Sequence, residues 1–207
     1  MMFDSESILK KYYSYEGQEL REMGRTHLAV LLLVDTSASM AGEKICAVEH
    51  AINGFIDELK GTYEAECTDI CIVSFSDETK IVQPFTCASN VAEIALEASG
   101  LTSLWEALSI SIDLLNNQRR LYQQLAITYY KPRIFLITDG TPTDTGDIVI
   151  PKLKCDIAGN KYGLCVLGLP GYDENLFTFL EVPHGLVQCD EVQNYLDKII
   201  SRPNIIL

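Results

Sequence analysis

Two spacings of apolar residues alternate along the chain. Val30-Leu31-Leu32-Leu33-Val34 is an unbroken apolar run, the pattern of a strand buried on both faces. After Gly42 the period lengthens. Ile45, Val48, Ile52, Phe55, Ile56 and Leu59 recur three and four residues apart, which predicts a helix with one apolar stripe that stops at Gly61. Residues 70–75 read as a second strand, and residues 79–85 as a third beyond the turn Ser76-Asp77-Glu78. Three residues cannot hold a helical crossover, so these two strands are expected to pair antiparallel, with Pro84 placing the later one at a sheet edge.

Further along, residues 89–97 read as a short helix with Ser89 as its cap and Val91, Ile94 and Ala95 on one side. A loop over 98–103 leads into a longer helix carrying Leu104, Leu108, Ile112 and Leu115. Its polar, tyrosine-rich continuation over 117–130 is expected as a helix tail and an exposed loop. Residues 134–137 form another buried strand, delivering Thr138-Asp139-Gly140. A helix over 147–157, with Pro151 in an early turn or at a kink, is followed by a strand over 162–169. A short helix over 174–180, a short strand over 185–188 and a closing amphipathic helix over 191–200 complete the pattern. Strands alternating with helices, plus one hairpin, predict an α/β fold. The expected architecture is a Rossmann-like, mostly parallel central sheet with one antiparallel edge strand and helices on both faces. Residues 1–27 are polar and carry a short apolar stripe (Ile8, Leu9, Tyr12, Tyr13). They read as an N-terminal extension with some helical character, and residues 28–207 as one domain.

Composition narrows the function. A chain of 207 residues, 47% of them hydrophobic, fills one domain. Sixteen basic against 29 acidic residues give a formal charge of -13, which argues against nucleic acid or an anionic membrane as the main partner. The cysteines number seven, are scattered and include no CxxC, so buried reduced thiols are expected. The histidines, His27, His50 and His184, do not combine with them into a zinc pattern. The N-terminus lacks the features of a signal peptide and no apolar run approaches the roughly 20 residues of a membrane span, so a cytoplasmic protein is expected.

The candidate chemistry lies where strands should end. Asp35, Ser37 and Ser39 follow the first strand, Thr102 lies in the loop before the long helix, and Asp139 ends the strand over 134–137. In open α/β sheets that edge is where ligands bind. Two carboxylates and three hydroxyls form an oxygen-only donor set that suits Mg²⁺ and leaves a position for water or an outside oxygen. Each residue singly also fits a loop or helix cap. Trp105, beside this edge, is either a partner anchor or a side chain packed against neighbouring loops.

Enzymatic readings fit less well, and no catalytic residue is assigned. An aspartate nucleophile with an acid two residues on would need a carboxylate where Ser37 stands. No P-loop, strand-linked GxGxxG or GxSxG elbow occurs, and His184 sits between Pro183 and Gly185 in an expected turn.

The set Asp35-x-Ser37-x-Ser39, Thr102 and Asp139-Gly140 resembles the metal-ion-dependent adhesion site of von Willebrand factor A (VWA) domains, over a match from about residue 28 to the C-terminus. Ala38 departs from the Gly common in relatives, as do Leu101 and Trp105 around the site threonine. The resemblance implies the VWA fold and a Mg²⁺ ion (or Mn²⁺ or Ca²⁺) held by Asp35, Ser37, Ser39, Thr102 and Asp139. It also implies a protein partner that offers the metal an Asp or Glu. The segment KPRIFLITDGTPTD, residues 131–144, resembles the bacterial tellurite-resistance-associated TerY-like group. That likeness implies a cytoplasmic stress-response setting with a kinase or PP2C-type phosphatase as partner. Alternative readings are a metal-independent scaffold for such a pair, docking through residues 1–27 or the acidic surface, and a metal-dependent phosphohydrolase.

Overall fold

The computed structural model describes residues 24–178 and 182–201. Its centre is strand β1 (Leu28–Asp35), all eight residues of which are buried. Alternation along β1 divides the core in two. Ala29, Leu31 and Leu33 face Leu104, Leu108 and Ile112 of helix α2 (Leu104–Gln124) and Leu153 of α3 (Val149–Ala158). Val30, Leu32 and Val34 face Val48, Ile52 and Phe55 of α1 (Glu43–Lys60) and Leu196 of α4 (Val192–Ser201). Fully burying a Leu or Val stabilises by roughly 1.5–3 kcal/mol, so a strand covered on both faces is the natural place for an unbroken apolar run.

The remaining strands are β2 (Thr68–Phe75), β3 (Thr79–Cys87), β4 (Arg133–Thr138), β5 (Gly163–Gly168) and β6 (His184–Leu186), in the sheet order β3-β2-β1-β4-β5-β6. All pairs are parallel except β2 with β3, the hairpin expected from the three-residue turn. β3 is an edge, and its register explains Pro84. Thr86 pairs with Ile70 and Gln83 with Ile72, so Pro84 and Phe85 together oppose Cys71 in a bulge, where a missing N–H does no harm.

Some expectations are corrected. Residues 89–97 are not a helix: a single 3-10 turn, Ala88–Asn90, is followed by irregular chain. The reason lies on α1. Asn53 donates Nδ2–H to Ile94 O and accepts from Ile94 N, both at 3.0 Å, and Glu49 accepts from Leu96 N at 2.7 Å. These side chains satisfy the backbone as a neighbouring strand would, and Ile94 and Leu96 point inward while Ala95 and Glu97 point out.

Residues 174–178 are turns rather than a helix, and 179–181 lie outside the described residues, as does the extension over 1–23. Tyr122 is fully buried rather than exposed. Its hydroxyl donates to Asp69 Oδ2, which also pairs with His27 Nδ1 at 3.0 Å. His27, at the end of the expected extension, bonds to the chain that follows α2: its N–H donates to Thr128 O and its O accepts from Tyr130 N, both at 2.8 Å. All seven thiols are free, but Cys46 and Cys155 are exposed rather than buried. Among the described residues no helix is long and apolar enough to cross a membrane.

Candidate metal site

The site is built on the carboxyl ends of β1 and β4, which pair parallel through Val34 and Ile137 and so place their following loops side by side. Asp35 is the last residue of β1 and is fully buried. Its Oδ1 accepts from Ser37 N at 2.8 Å and its Oδ2 from Thr138 Oγ1 at 2.5 Å. Burial is the main influence on its carboxyl and pushes the pKa above the ordinary value. The bonds from Thr138 and Ser37 oppose that shift, and the nearby Asp139 charge adds to it.

Alternation would carry Asp35, Ser37 and Ser39 to one side of the chain if the segment after β1 stayed extended. Instead Ala38–Met40 form a 3-10 turn. That turn brings Ser37 Oγ to 3.1 Å from Ser39 Oγ, and Ser39 Oγ donates to Asp139 Oδ1 at 2.7 Å. Ser37 occupies the turn's N-cap position, yet its side chain makes no capping bond. Its hydroxyl is therefore turned to the site rather than spent on the local backbone. Asp139 is buried, and its Oδ2 accepts from Lys44 Nζ.

Thr102 joins from a third loop. A Cβ placed on Gly140 would lie 3.4 Å from Thr102 Oγ1 and 3.5 Å from Asp35 Oδ2, so both oxygens converge on the bare glycine. Backbone bonds hold the loops together: Ala38 N to Gly100 O at 3.0 Å, Ser99 N to Thr36 O at 2.8 Å, and Thr143 N to Thr102 O at 2.9 Å. Gly100 has φ +82 and passes so close to Asp77 that a Cβ would meet Oδ2 at 2.1 Å, so the approach needs glycine.

The structure thus brings Asp35, Ser37, Ser39, Thr102 and Asp139 into one cluster. Four are buried and Ser39 is exposed, so the cluster opens to solvent on the Ser39 side. Among the described residues no group of three or more His, Cys, Asp or Glu could hold a metal. Here the donor set is two carboxylates with three hydroxyls. Oxygen-only donors held by backbone fit a hard divalent cation.

Trp105 is not the surface anchor that one reading allowed. It is 5% exposed and its ring lies against Phe177 with centroids 5.7 Å apart, while Leu101 next to Thr102 is 60% exposed.

Sequence reasoning missed the residues that hold the cluster in place. Thr138 donates to Asp35, and Asp77 Oδ1 accepts from Leu101 N at 3.0 Å. Asp144 caps α2 from another loop, accepting from Trp105 N at 3.2 Å and Glu106 N at 2.9 Å. None of these partners is near in sequence, and no local pattern marks them. Lys44 carried one signal: a cation in the first turn of a helix, where the dipole disfavours it.

A family model described as von Willebrand factor type A domain matches residues 29–176. Among curated proteins, inter-alpha-trypsin inhibitor heavy chain H4 from Bos taurus is 27% identical over 164 residues, covering 73% of this chain and 17% of that protein. This chain therefore spans less than a fifth of that relative's length. Among solved structures, the pilus adhesin SpaC from Lactobacillus rhamnosus GG aligns with a TM-score of 0.67 at 15% identity, over 86% of this chain and 31% of that one. The vWF domain of the type V pili tip protein Mfa5 from Porphyromonas gingivalis gives 0.60 at 14%, over 88% and 97% respectively. At such identities the structural likeness shows the fold alone.

Proposed function

The chain belongs to the von Willebrand factor type A domain family, and from that premise we propose that it is a protein-binding module whose grip on a partner depends on a divalent cation. The observation that supports this most strongly is the meeting of three loops: Ser39 Oγ lies 2.7 Å from Asp139 Oδ1, and a Cβ on Gly140 would lie 3.4 Å from Thr102 Oγ1. Asp35, Ser37, Ser39, Thr102 and Asp139 are the residues that would hold the ion.

Once bound, Mg²⁺ (or Mn²⁺ or Ca²⁺) supplies a hard electrophilic centre that takes a carboxylate oxygen. The chain's own residues do the rest. Asp35 and Asp139 provide negative charge from buried positions, which disfavours leaving the site without a cation. Ser37 and Ser39 offer hydroxyl lone pairs while their protons stay within the cluster. Exposed Ser39 and Leu101 form the rim by which a partner's Asp or Glu reaches the site. Both oxygens of Asp35 are engaged, by Ser37 N and Thr138 Oγ1, which favours a holding role over nucleophilic attack.

The proposal extends to a cytoplasmic bacterial stress-response setting with a kinase or PP2C-type phosphatase as partner. The likeness of residues 131–144 to the TerY-like group supports that extension.

Affinity capture from the native cell, in Mg²⁺ and in chelator, tests the reading. The tagged chain is expected to retain a partner in Mg²⁺ and lose it in chelator, and Asp35→Ala to lose it in both while keeping its fold. Capture that survives both chelator and Asp35→Ala would point to a metal-independent scaffold instead.

A further inference from the structure

We propose that Lys44 is a tethered counter-cation of this site: its ammonium occupies Asp139 while no divalent ion is bound and has to leave before one can bind. Lys44 then sets the affinity of the site. The inference rests on the metal-binding reading above and deepens it.

Each of the four carboxylate oxygens of the site accepts a hydrogen bond. Asp35 Oδ1 and Oδ2 accept from Ser37 N and Thr138 Oγ1, Asp139 Oδ1 from Ser39 Oγ, and Asp139 Oδ2 from Lys44 Nζ. Three of these donors are neutral and the fourth is a full positive charge. A hydroxyl that donates its proton to Asp139 still has lone pairs for a metal, so Ser39 has no conflict with a bound ion. An ammonium has no lone pair to offer and repels a divalent cation strongly in a partly buried site. Of the four donors, Lys44 is the one that metal binding must displace.

The position of Lys44 supports this role. It is the second residue of α1, where the helix dipole disfavours a cation, so the helix itself gains nothing from it. What it gains is Asp139, whose side chain is 1% exposed, while the Lys44 side chain is 28% exposed. Its flexible stem therefore has a path to water when the carboxylate is taken by another cation.

The test is calorimetric titration of chelator-stripped protein with Mg²⁺, comparing wild type with Lys44→Met and Lys44→Arg. Lys44→Met keeps the length of the side chain and removes its charge; it is expected to bind Mg²⁺ about tenfold more tightly, within the usual range for two mutually exclusive or coupled ligands. Lys44→Arg keeps the charge and is expected to stay within about twofold of wild type. A second readout needs no variant: acetylation of Lys44 by a succinimidyl acetate reagent, followed by peptide mass spectrometry, is expected to quicken several-fold when Mg²⁺ replaces chelator. Equal Mg²⁺ affinity in wild type and Lys44→Met, with acetylation unmoved by Mg²⁺, would overturn the role of Lys44 and leave the metal site standing. Failure of Mg²⁺ to bind either protein would instead remove the metal reading, and this inference with it.

Discussion

Ser39 Oγ donates to Asp139 Oδ1 at 2.7 Å, a bond between residues one hundred positions apart. It exists because β1 and β4 lie parallel and adjacent, so the loops that leave them meet at one edge of the sheet. The 3-10 turn over Ala38–Met40 then swings Ser39 across to the second strand's loop. Ser39→Ala removes this bond and leaves Asp139 with one donor fewer. In chelator the loss is expected to be about 1 kcal/mol, since the serine is exposed and water replaces part of the bond. In Mg²⁺ it is expected to be larger, because a donor to the ion goes as well. Urea unfolding in the two buffers checks both values.

Asp35→Asn should change stability in opposite directions with and without metal. Burial raises the Asp35 carboxyl above its ordinary value of 3.8. The folded protein therefore holds that proton more tightly than the unfolded chain does. The contribution of Asp35 to stability is greatest at low pH, declines as pH rises from about 3.8 through the raised folded value, and is a penalty above it. In chelator at neutral pH, Asp35→Asn is expected to melt a few degrees higher than wild type, and to lose less stability as pH rises through that window. In Mg²⁺ the order is expected to reverse, since the variant lacks a charged ligand. Melting curves in both buffers would contradict this if the order stayed the same.

At the opposite end of the sheet, Asp69 begins a buried group. His27 Nδ1 and Tyr122 OH both bond Asp69 Oδ2, and all three side chains are fully buried. Asp69→Ala deprives both of an acceptor, at about 1–3 kcal/mol for each buried group left unmatched. Stability measured in urea is expected to fall by about 3 kcal/mol, with Mg²⁺ affinity within about twofold of wild type. A matching loss of metal binding would show that the two ends of the sheet are coupled.

How much of this was legible in the sequence depended on how local its cause was. Strand β1 was readable because burial on both faces leaves only apolar residues, and the stripe of α1 because one face packs on the sheet. The meeting of Asp35, Ser37, Ser39, Thr102 and Asp139 at one sheet edge was readable because strand order alone predicts it, without knowledge of any contact. The irregular chain after Asn90 was not, because Asn53 and Glu49 on another element satisfy its backbone. Nor was the burial of Tyr122, whose partner Asp69 lies 53 positions away in an apolar strand.

Trp105 and Leu101 separate packing from recognition in the same way. Trp105 is buried against Phe177, so Trp105→Ala is expected to cost about 3–5 kcal/mol of stability as a core truncation. Leu101 is exposed beside Thr102, so Leu101→Ser is expected to leave stability within about 0.5 kcal/mol. It is expected to weaken partner capture in Mg²⁺ all the same. Denaturation and capture, run on both variants, check the assignment.

The most direct test of the account is calorimetric titration of Mg²⁺ into the chelator-stripped chain and into Asp139→Ala. The wild-type chain is expected to show one saturable site, and Asp139→Ala none. Saturable binding of equal strength in both proteins, or none in the wild type, would contradict a metal held by the loops after β1 and β4.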